Sequence, residues 1–205
     1  MYEKRTLKNS SVKNISRFVS IKTDSIHTVE SDLEFDACFH FEFASEILMY
    51  EAQPLGFEYM LNGKSHRYMP DFLCLYADGY QPFYEIKPKY IVESDEYQEV
   101  FSAQQKQAVN MGQDLRVLTE DDIQIYPLLE NLKVIHRYAC DDNLDAVQYQ
   151  ILQLFQKYGE LRINQVVEGA SLCSAVSLPA LYDLIAKRLL NFDWHCSGKG
   201  KLAVL

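Results

Sequence analysis

The sequence predicts a mixed α/β domain followed by a small, mainly helical domain. Three observations predict this organisation. Short β-like runs occupy much of the stretch from residue 47 to residue 87. Apolar residues at helical spacing lie on both sides of these runs, and a second group of helical segments follows a polar break at residues 140–143. We therefore expect an arm over 1–29, a main domain over 30–138 and a second domain over 141–205.

The bulk composition is that of a globular protein. Of the 205 residues, 48% are hydrophobic and 13% aromatic, which is enough for a packed core. No apolar run approaches the roughly 18 residues that cross a bilayer, and the first twenty residues lack the apolar stretch of a secretory signal. We therefore expect a cytoplasmic protein. Its five cysteines are widely spaced without a CxxC pair, which predicts reduced thiols.

Charge is unevenly distributed along the chain, whose net charge is -9. Residues 1–29 carry six Lys or Arg against two acids, and residues 187–205 carry four against one. The middle has ten basic and twenty-six acidic residues. The basic ends are candidates for holding nucleic-acid phosphates, through Lys4, Arg5 and Lys8 in the arm, while the acidic body would bind metal. The alternative is a frayed, solvated terminus.

The main domain is predicted to open with a helix near Ser31. Ser31 to Glu34 has the S-x-x-E form of a capping box, which is typical of a helix start. Leu33, Ala37 and Phe41 would share one helical face. Phenylalanines at alternating positions 39, 41 and 43 leave a strand open as the alternative.

Several strands are predicted next. They cover residues 47–50, 56–61, 65–69, 72–76 and 83–87. Asn62-Gly63 predicts a tight hairpin turn, and Asp78-Gly79 predicts a second turn. Apolar residues from Tyr97 to Met111 then follow helical spacing, with Gly112 as a C-cap and Leu115–Leu118 as a further strand.

The second domain is predicted to be helical, with winged-helix character. One helix carries an apolar stripe from 144 to 158, a short one covers 162–168, and a third is predicted to start at 177–179. A Gly-containing hairpin near 197–200 would form the wing. The residues predicted to meet DNA on the third helix and wing are Lys187, Arg188, Lys199 and Lys201. The alternative is a helical docking domain whose basic residues are a solvated face.

Two carboxylates and an amine are predicted to converge at one edge of the sheet. Pro70-Asp71 precedes one apolar strand, and Glu85 and Lys87 end the next. Period-two alternation places Glu85 and Lys87 on one face and directs Ile86 into the core. Oxygen ligands suit a hard divalent ion, and cations stabilise the charge that builds on an attacked phosphate. The group is typical of a metal-dependent phosphodiester nuclease.

Taken singly, each residue has a simpler interpretation. Asp71 suits a turn cap, Glu34 a capping box, and Glu85 with Lys87 an exposed ion pair. The histidines show no paired spacing, and Gly-rich phosphate loops are absent from the sequence. Considered together, the acids and the amine favour the nuclease interpretation.

With these residues in place, the sequence resembles the PD-(D/E)xK nuclease superfamily, and within it the TnsA-type endonuclease subunit of heteromeric cut-and-paste transposases. The resemblance covers roughly residues 28–120. It rests on four blocks in order, at residues 31–34, 51–54, 68–73 and 84–89. The carboxy-terminal part resembles the family only in size and helical character.

The resemblance implies a restriction-endonuclease-like mixed sheet flanked by helices. It also implies that Glu34, Asp71 and Glu85 are the acidic metal ligands and that Lys87 is the catalytic lysine. The expected cofactor is Mg²⁺, with Mn²⁺ able to substitute, and the carbonyl of Ile86 would lie near the ion. Lys87 would orient the attacking water or neutralise charge on the scissile phosphate.

The resemblance further implies a place in bacterial DNA transposition. Members of the family cut double-stranded DNA at the 5′ ends of the transposon. A TnsB-like, integrase-fold transposase acts at the 3′ ends, and a TnsC-like ATPase controls the reaction. The isolated chain is then expected to be nearly inert. The alternatives are a free-standing restriction or repair nuclease with the same residues, and a catalytically idle scaffold that binds DNA or protein.

Overall fold

A computed structural model describes residues 15–140, 143–170 and 173–195, together with the backbone of residues 201–204. The chain divides into two units, Met1–Ile125 and Tyr126–Leu205. The division precedes the predicted break at 138–141, because the helix Leu128–Tyr138 packs on a helix of the second unit. Within the described ranges, every helix falls short of the length and apolar character that crossing a bilayer requires.

The described part of the first unit contains strands and helices in mixed order. The strands are β1 Ser16–Ser20, β2 Ser25–Val29, β3 Ile47–Ala52, β4 Phe57–Leu61, β5 Lys64–Tyr68, β6 Phe72–Tyr76, β7 Phe83–Ile86 and β8 Leu115–Leu118. The helices are α1 Asp32–Phe43, α2 Lys89–Val92, α3 Asp95–Asn110 and α4 Glu120–Ile123. The strands predicted from 47 to 118 are confirmed, with small shifts at their ends.

The segment predicted as a basic arm contains a packed hairpin. Strands β1 and β2 pair antiparallel, and Phe18 and Val29 are fully buried. The Glu42 carboxylate accepts hydrogen bonds from the Ser20 hydroxyl at 2.6 Å and from the backbone N–H of Lys22 at 2.8 Å. The predicted arm over 1–29 is therefore wrong for residues 16–29, which form a hairpin packed on α1. Residues 1–14 lie outside the described part of the chain.

Helix α1 begins as predicted, at a capping serine. The Ser31 hydroxyl accepts a hydrogen bond from the backbone N–H of Glu34 at 3.1 Å. The alternating phenylalanines belong to a helix because they pack on different neighbours. The ring of Phe39 lies 5.0 Å from that of Phe18 in the hairpin, whereas the ring of Phe41 lies 5.0 Å from that of Phe72 in the sheet.

The central sheet is mixed, with strand order β3-β6-β7-β8. Strands β3, β6 and β7 pair antiparallel in turn, and β7 pairs parallel with β8. Helix α3 makes the connection that a parallel pair needs. This arrangement confirms the predicted mixed sheet flanked by helices, which is compatible with a restriction-endonuclease-like fold.

Strand β7 is covered on both faces, and all four of its residues are buried. Tyr84 packs on the α1 face, where its ring lies 5.4 Å from that of Phe41. Phe83 joins the other side of the sheet, in a cluster with Phe57, Phe101, Ala108 and Leu115. Because side chains alternate along a strand, Glu85 points to the same side as Phe83.

A tight hairpin of β4 and β5 leads directly to the sheet edge that carries Asp71. Asn62 and Gly63 both have positive φ, at 50° and 74°, as a primed turn requires. Phe57 at the start of the hairpin pairs with Tyr68 at its end. The predicted hairpin turn is confirmed.

The second unit follows the order of a winged helix. Its elements are α5 Leu128–Tyr138, α6 Ala146–Tyr158, β9 Leu161–Arg162, α7 Ile163–Gly169, α8 Ser174–Ala186, β10 Leu190–Phe192 and β11 Lys201–Val204. Strand β11 lies between β10 and β9, antiparallel to both. Helix α8 starts before the predicted 177–179, and Pro179 lies inside it. The mainly helical character of this domain is as predicted, and its element order is compatible with a winged helix. The predicted wing hairpin near 197–200 lies outside the described residues.

Gly56 is predicted to be required for the close approach between β4 and the end of β5. A Cβ built at this position would fall well inside van der Waals contact with the backbone carbonyl oxygen of Tyr68. Because backbone atoms cannot rotate away, we expect Gly56→Ala to lower the free energy of unfolding by about 1–3 kcal/mol. Urea denaturation measures this change.

Gly169→Ala is the matched control, since its Cβ would meet only the flexible Leu154 side chain at 3.3 Å. We expect a change below about 1 kcal/mol for this variant. Equal denaturation midpoints for Gly56→Ala and the unsubstituted chain would contradict the packing described here.

Candidate active site

The structure brings Asp71, Glu85 and Lys87 together at the edge predicted for them. Asp71 lies between β5 and β6, where its backbone N–H donates to the Tyr84 carbonyl at 3.0 Å. Its side-chain Oδ2 accepts a hydrogen bond from the backbone N–H of Ile86 at 2.7 Å. Two contacts with β7 therefore fix the carboxylate of Asp71 beside Glu85.

The Lys87 ammonium contacts three oxygens at once. Its Nζ lies 2.7 Å from Glu85 Oε1, 3.3 Å from Asp71 Oδ2 and 3.2 Å from the Ile86 carbonyl oxygen. The Asp71 and Glu85 side chains are only 18% and 9% exposed. These three oxygens are among the donors predicted to bind a metal ion, a set that also included Glu34, and in this structure the three converge on one cation.

The electrostatics of the site reflect this crowding of acids. Burial, and then the neighbouring Glu85 carboxylate, raise the pKa of Asp71 to about 7, although Lys87 opposes the shift. Burial disfavours the charged form of Lys87, but the Asp71 and Glu85 carboxylates outweigh it and raise the lysine pKa above its ordinary value. The ammonium is therefore the charge that allows two acids to lie side by side.

Tyr68 is a further residue of the site that sequence reasoning missed. Its hydroxyl donates a hydrogen bond to Glu85 Oε2, the oxygen that Lys87 does not contact. Its ring lies edge-on to Phe57, with centroids 5.2 Å apart. Burial and the Glu85 carboxylate raise the Tyr68 pKa well above its ordinary value, so the hydroxyl remains a donor. Its place at the end of β5, just before Pro70-Asp71, is the signal that was available.

Tyr97, in the first turn of α3, lies in the field of the same carboxylates. Its ring stacks on Phe101 at 5.3 Å, and its buried hydroxyl has no hydrogen-bond partner among the described residues. Burial, then Glu85 and Asp71, raise its pKa. The helical spacing predicted Tyr97 as part of an apolar stripe, which describes its ring but not its hydroxyl.

Glu34 is close to the site, but its carboxylate oxygens accept hydrogen bonds from residues at the start of α1. Its Oε2 accepts the backbone N–H of Glu30 at 2.9 Å, and its Oε1 accepts the Ser31 hydroxyl at 2.9 Å. Burial raises the pKa of Glu34, while these hydrogen bonds and the charge of Lys87 oppose the rise. The Glu34 carboxylate is therefore bonded to Glu30 and Ser31 at the start of α1, next to the site, and its metal role stays a prediction.

The donors fit a hard divalent ion in number and type. Mg²⁺ in proteins is held by one or two carboxylates and keeps several waters. Asp71 and Glu85 supply two carboxylates, and Ile86 supplies a carbonyl oxygen that points to the same place. Among the described residues, no group of three or more His, Cys, Asp or Glu side chains is arranged to hold a metal. The donors that the structure brings together are therefore two carboxylates and one backbone oxygen.

The residues predicted to contact DNA have different settings. In the second unit, Lys187 Nζ lies 2.5 Å from Asp183 Oδ2 and donates to the Cys140 carbonyl. Asp183 also accepts from Gln148 Nε2 at 2.6 Å, so Lys187 belongs to a structural network. Arg188 is exposed after α8. The remaining predicted contacts lie outside the described side chains: Lys4, Arg5, Lys8, Lys199 and Lys201.

A comparison with protein families places this geometry in context. Residues 44–120 match the family model described as TnsA-like endonuclease N terminal. The matched range contains Asp71, Glu85 and Lys87, but it begins after Glu34. A comparison with curated proteins found no match.

Removal of the Tyr68 hydroxyl is predicted to cost stability. In Tyr68→Phe, Glu85 Oε2 would lose its hydrogen bond inside a buried strand, and bonds to charged groups contribute about 1.5–3 kcal/mol. We expect a loss of that size in urea denaturation. Tyr80→Phe is the control, since the Tyr80 hydroxyl also donates to a carboxylate, but to Asp114, whose side chain is 44% exposed. An equal loss in both variants would show that the burial of Glu85 does not matter.

Proposed function

We propose that this chain, which carries a TnsA-like endonuclease domain at residues 44–120, is the metal-dependent DNA endonuclease subunit of a transposase. It would hydrolyse phosphodiester bonds at the 5′ ends of the transposon. The observation that supports this most is the convergence of Asp71 Oδ2, Glu85 Oε1 and the Ile86 carbonyl on one cation, at the sheet edge where the family match lies.

Asp71, Glu85 and the Ile86 carbonyl would hold Mg²⁺, with Mn²⁺ able to replace it. When bound, such an ion lowers the pKa of an attacking water and neutralises charge on the phosphate. The chain's own residues orient this set of donors. The backbone N–H of Ile86 holds Asp71, and the Tyr68 hydroxyl holds Glu85. Outer contacts of this kind fix the direction in which ligand oxygens point.

Lys87 would act on the scissile phosphate. Its backbone N–H donates to the Leu118 carbonyl at 3.1 Å, so the start of the residue is fixed to β8. Its side chain is 32% exposed, and a lysine stem carries a compact charge on several rotatable bonds. The ammonium can therefore leave the carboxylates, while the backbone stays, and orient water or neutralise a phosphate oxygen.

The negative charge of the first unit indicates that DNA binding requires basic groups from outside this unit. Residues 15–125 carry twenty acidic and eight basic residues, which repels a polyanion away from the site. The phosphate contacts must come from other parts of the chain or from partners. We propose a TnsB-like transposase and a TnsC-like ATPase as these partners, with double-stranded transposon ends as the substrate and the winged-helix unit as a docking or DNA-binding module.

Reconstitution with a transposase partner and a transposon end tests this proposal. With Mg²⁺, the wild-type chain should cut the 5′ strand only in the assembled complex. Asp71→Ala and Lys87→Ala should each lower the cleavage rate by at least about a hundredfold, with unchanged circular dichroism. Lys89→Ala is the control, because Lys89 is exposed and pairs with Asp121 outside the ligand set.

Two results would contradict the proposal in different ways. Nicking of plasmid DNA by the purified chain alone would indicate a free-standing restriction or repair nuclease. A folded chain that shows no cleavage in the complex, and no shift of its melting temperature with Mn²⁺, would indicate a catalytically idle scaffold.

Glu34→Gln distinguishes a metal role of Glu34 from a capping role. Glutamine keeps an acceptor for the N-terminus of α1 but removes the charge that a metal site would use. In the assembled complex, we expect cleavage to fall at least about tenfold while helix content is unchanged. Asp32→Asn, which removes an exposed acid from the same helical turn, is the control. Equal activities of the two variants would show that Glu34 has no metal role and serves only through its hydrogen bonds at the start of α1.

A further inference from the structure

We propose that Lys87 and the divalent ion are competing occupants of one set of oxygens, so that DNA, by taking the Lys87 ammonium, tightens metal binding. This inference rests on the proposed function and goes beyond it. The lysine becomes the residue that determines when the site can load its metal, in addition to its role at the phosphate.

The geometry makes the two occupants mutually exclusive. Lys87 Nζ already lies 2.7–3.3 Å from Glu85 Oε1, Asp71 Oδ2 and the Ile86 carbonyl. A Mg²⁺ ion needs such oxygens at about 2.0–2.1 Å and in octahedral directions. An ammonium in the middle of the set would be in contact with the ion and would repel it. Occupation by the metal therefore requires Lys87 to swing out.

The fixed and movable parts of the site are arranged for this exchange. Asp71 is held by the backbone of Ile86, and Glu85 is held by Tyr68, so both acids stay in place when the ammonium leaves. The backbone of Lys87 is held by β8, whereas among the described residues its ammonium contacts only the oxygens of the site itself, and its side chain is 32% exposed. The donors keep their arrangement while the cation changes.

Leaving has a cost for the ammonium unless another anion receives it. In the free chain, the displaced Lys87 ammonium would lose its contacts with two partly buried carboxylates and gain only contacts with water. At a bound DNA backbone, it would meet a phosphate instead. Because coupling between two ligands is reciprocal, DNA should raise the metal affinity and the metal should raise the DNA affinity by the same factor.

Mn²⁺ binding measured by electron paramagnetic resonance tests the competition. We compare the wild-type chain, Lys87→Met and, as the control, Lys89→Met, whose ammonium pairs with Asp121. In the wild type, Mn²⁺ must first break the contacts of the Lys87 ammonium with the carboxylates, and a hydrogen bond to a charged group contributes about 1.5–3 kcal/mol. Lys87→Met has no such contacts, so we expect it to bind Mn²⁺ at least about tenfold more tightly than the wild type. Lys89→Met should match the wild type. Lys87→Gln, which also removes the charge, should show the same gain in Mn²⁺ affinity. Circular dichroism checks that both variants are folded.

The second arm repeats the titration on the assembled partner complex, with a transposon end whose 5′ strand is already cut, so that no reaction takes place during the measurement. The phosphate's own attraction for the ion is common to both chains, so the DNA should tighten Mn²⁺ binding by the wild type about tenfold more than it tightens binding by Lys87→Met. Equal Mn²⁺ affinities of wild type and a folded Lys87→Met, or equal tightening of both by DNA, would overturn the inference while keeping the proposed function. No Mn²⁺ binding by any variant would overturn the metal-dependent function itself, and the inference with it.

Discussion

The ion contacts of Lys87 are the interaction on which this site depends. Two carboxylates that are largely withdrawn from water repel each other, and an ammonium between them offsets the repulsion. A cation between them therefore lowers the free-energy cost of holding the two acids side by side at this edge. The structure supplies that cation from the same strand end, one residue after Ile86. The positions of Asp71, Glu85 and Lys87 thus form one electrostatic unit rather than three separate features.

The fold produces this unit by burying β7 on both faces. Helix α1 covers the side of Tyr84, and α3 covers the side of Phe83, so a charged residue in this strand must find partners within the protein. Glu85 finds them in Tyr68 and Lys87. The β4–β5 hairpin matters for the same reason, because it delivers Tyr68 and then Asp71 to the edge. A site built on paired strands is rigid, and the mobility needed for chemistry is left to one lysine stem.

Local signals in the sequence were sufficient for the elements that enclose the site. Asn62-Gly63 predicted its hairpin because few residues other than these accept positive φ at both turn positions. Apolar runs predicted β6 and β8 at their observed bounds. The β1–β2 hairpin was missed because its inward positions include Ser20 and His27, which are buried through hydrogen bonds that only the folded chain supplies. The unit boundary was misplaced because α5 has a strong helical pattern that does not indicate which core it joins.

The candidate site was predictable in its charges but not in its contacts. Period-two alternation placed Glu85 and Lys87 on one face, and the structure confirms that they meet. The contribution of Tyr68 could not be read from the sequence, since it depends on how a hairpin end lies against a strand fifteen or more residues later. The Ile86 carbonyl contact with Lys87 likewise depends on backbone direction. Glu34 shows the reverse case, because one motif, S-x-x-E, predicted both a helix cap and a metal ligand, and the structure shows only its hydrogen bonds at the start of α1.

The most direct measurement is a crystal structure of the chain soaked in Mn²⁺, with the anomalous signal used to locate the ion. We predict a peak bound by Asp71 Oδ2, Glu85 Oε1 and the Ile86 carbonyl, with Lys87 Nζ displaced from all three oxygens. A crystal in which Lys87 keeps its three contacts and Mn²⁺ binds elsewhere, or in which no Mn²⁺ binds at a concentration far above that needed to saturate Lys87→Met, would contradict this prediction.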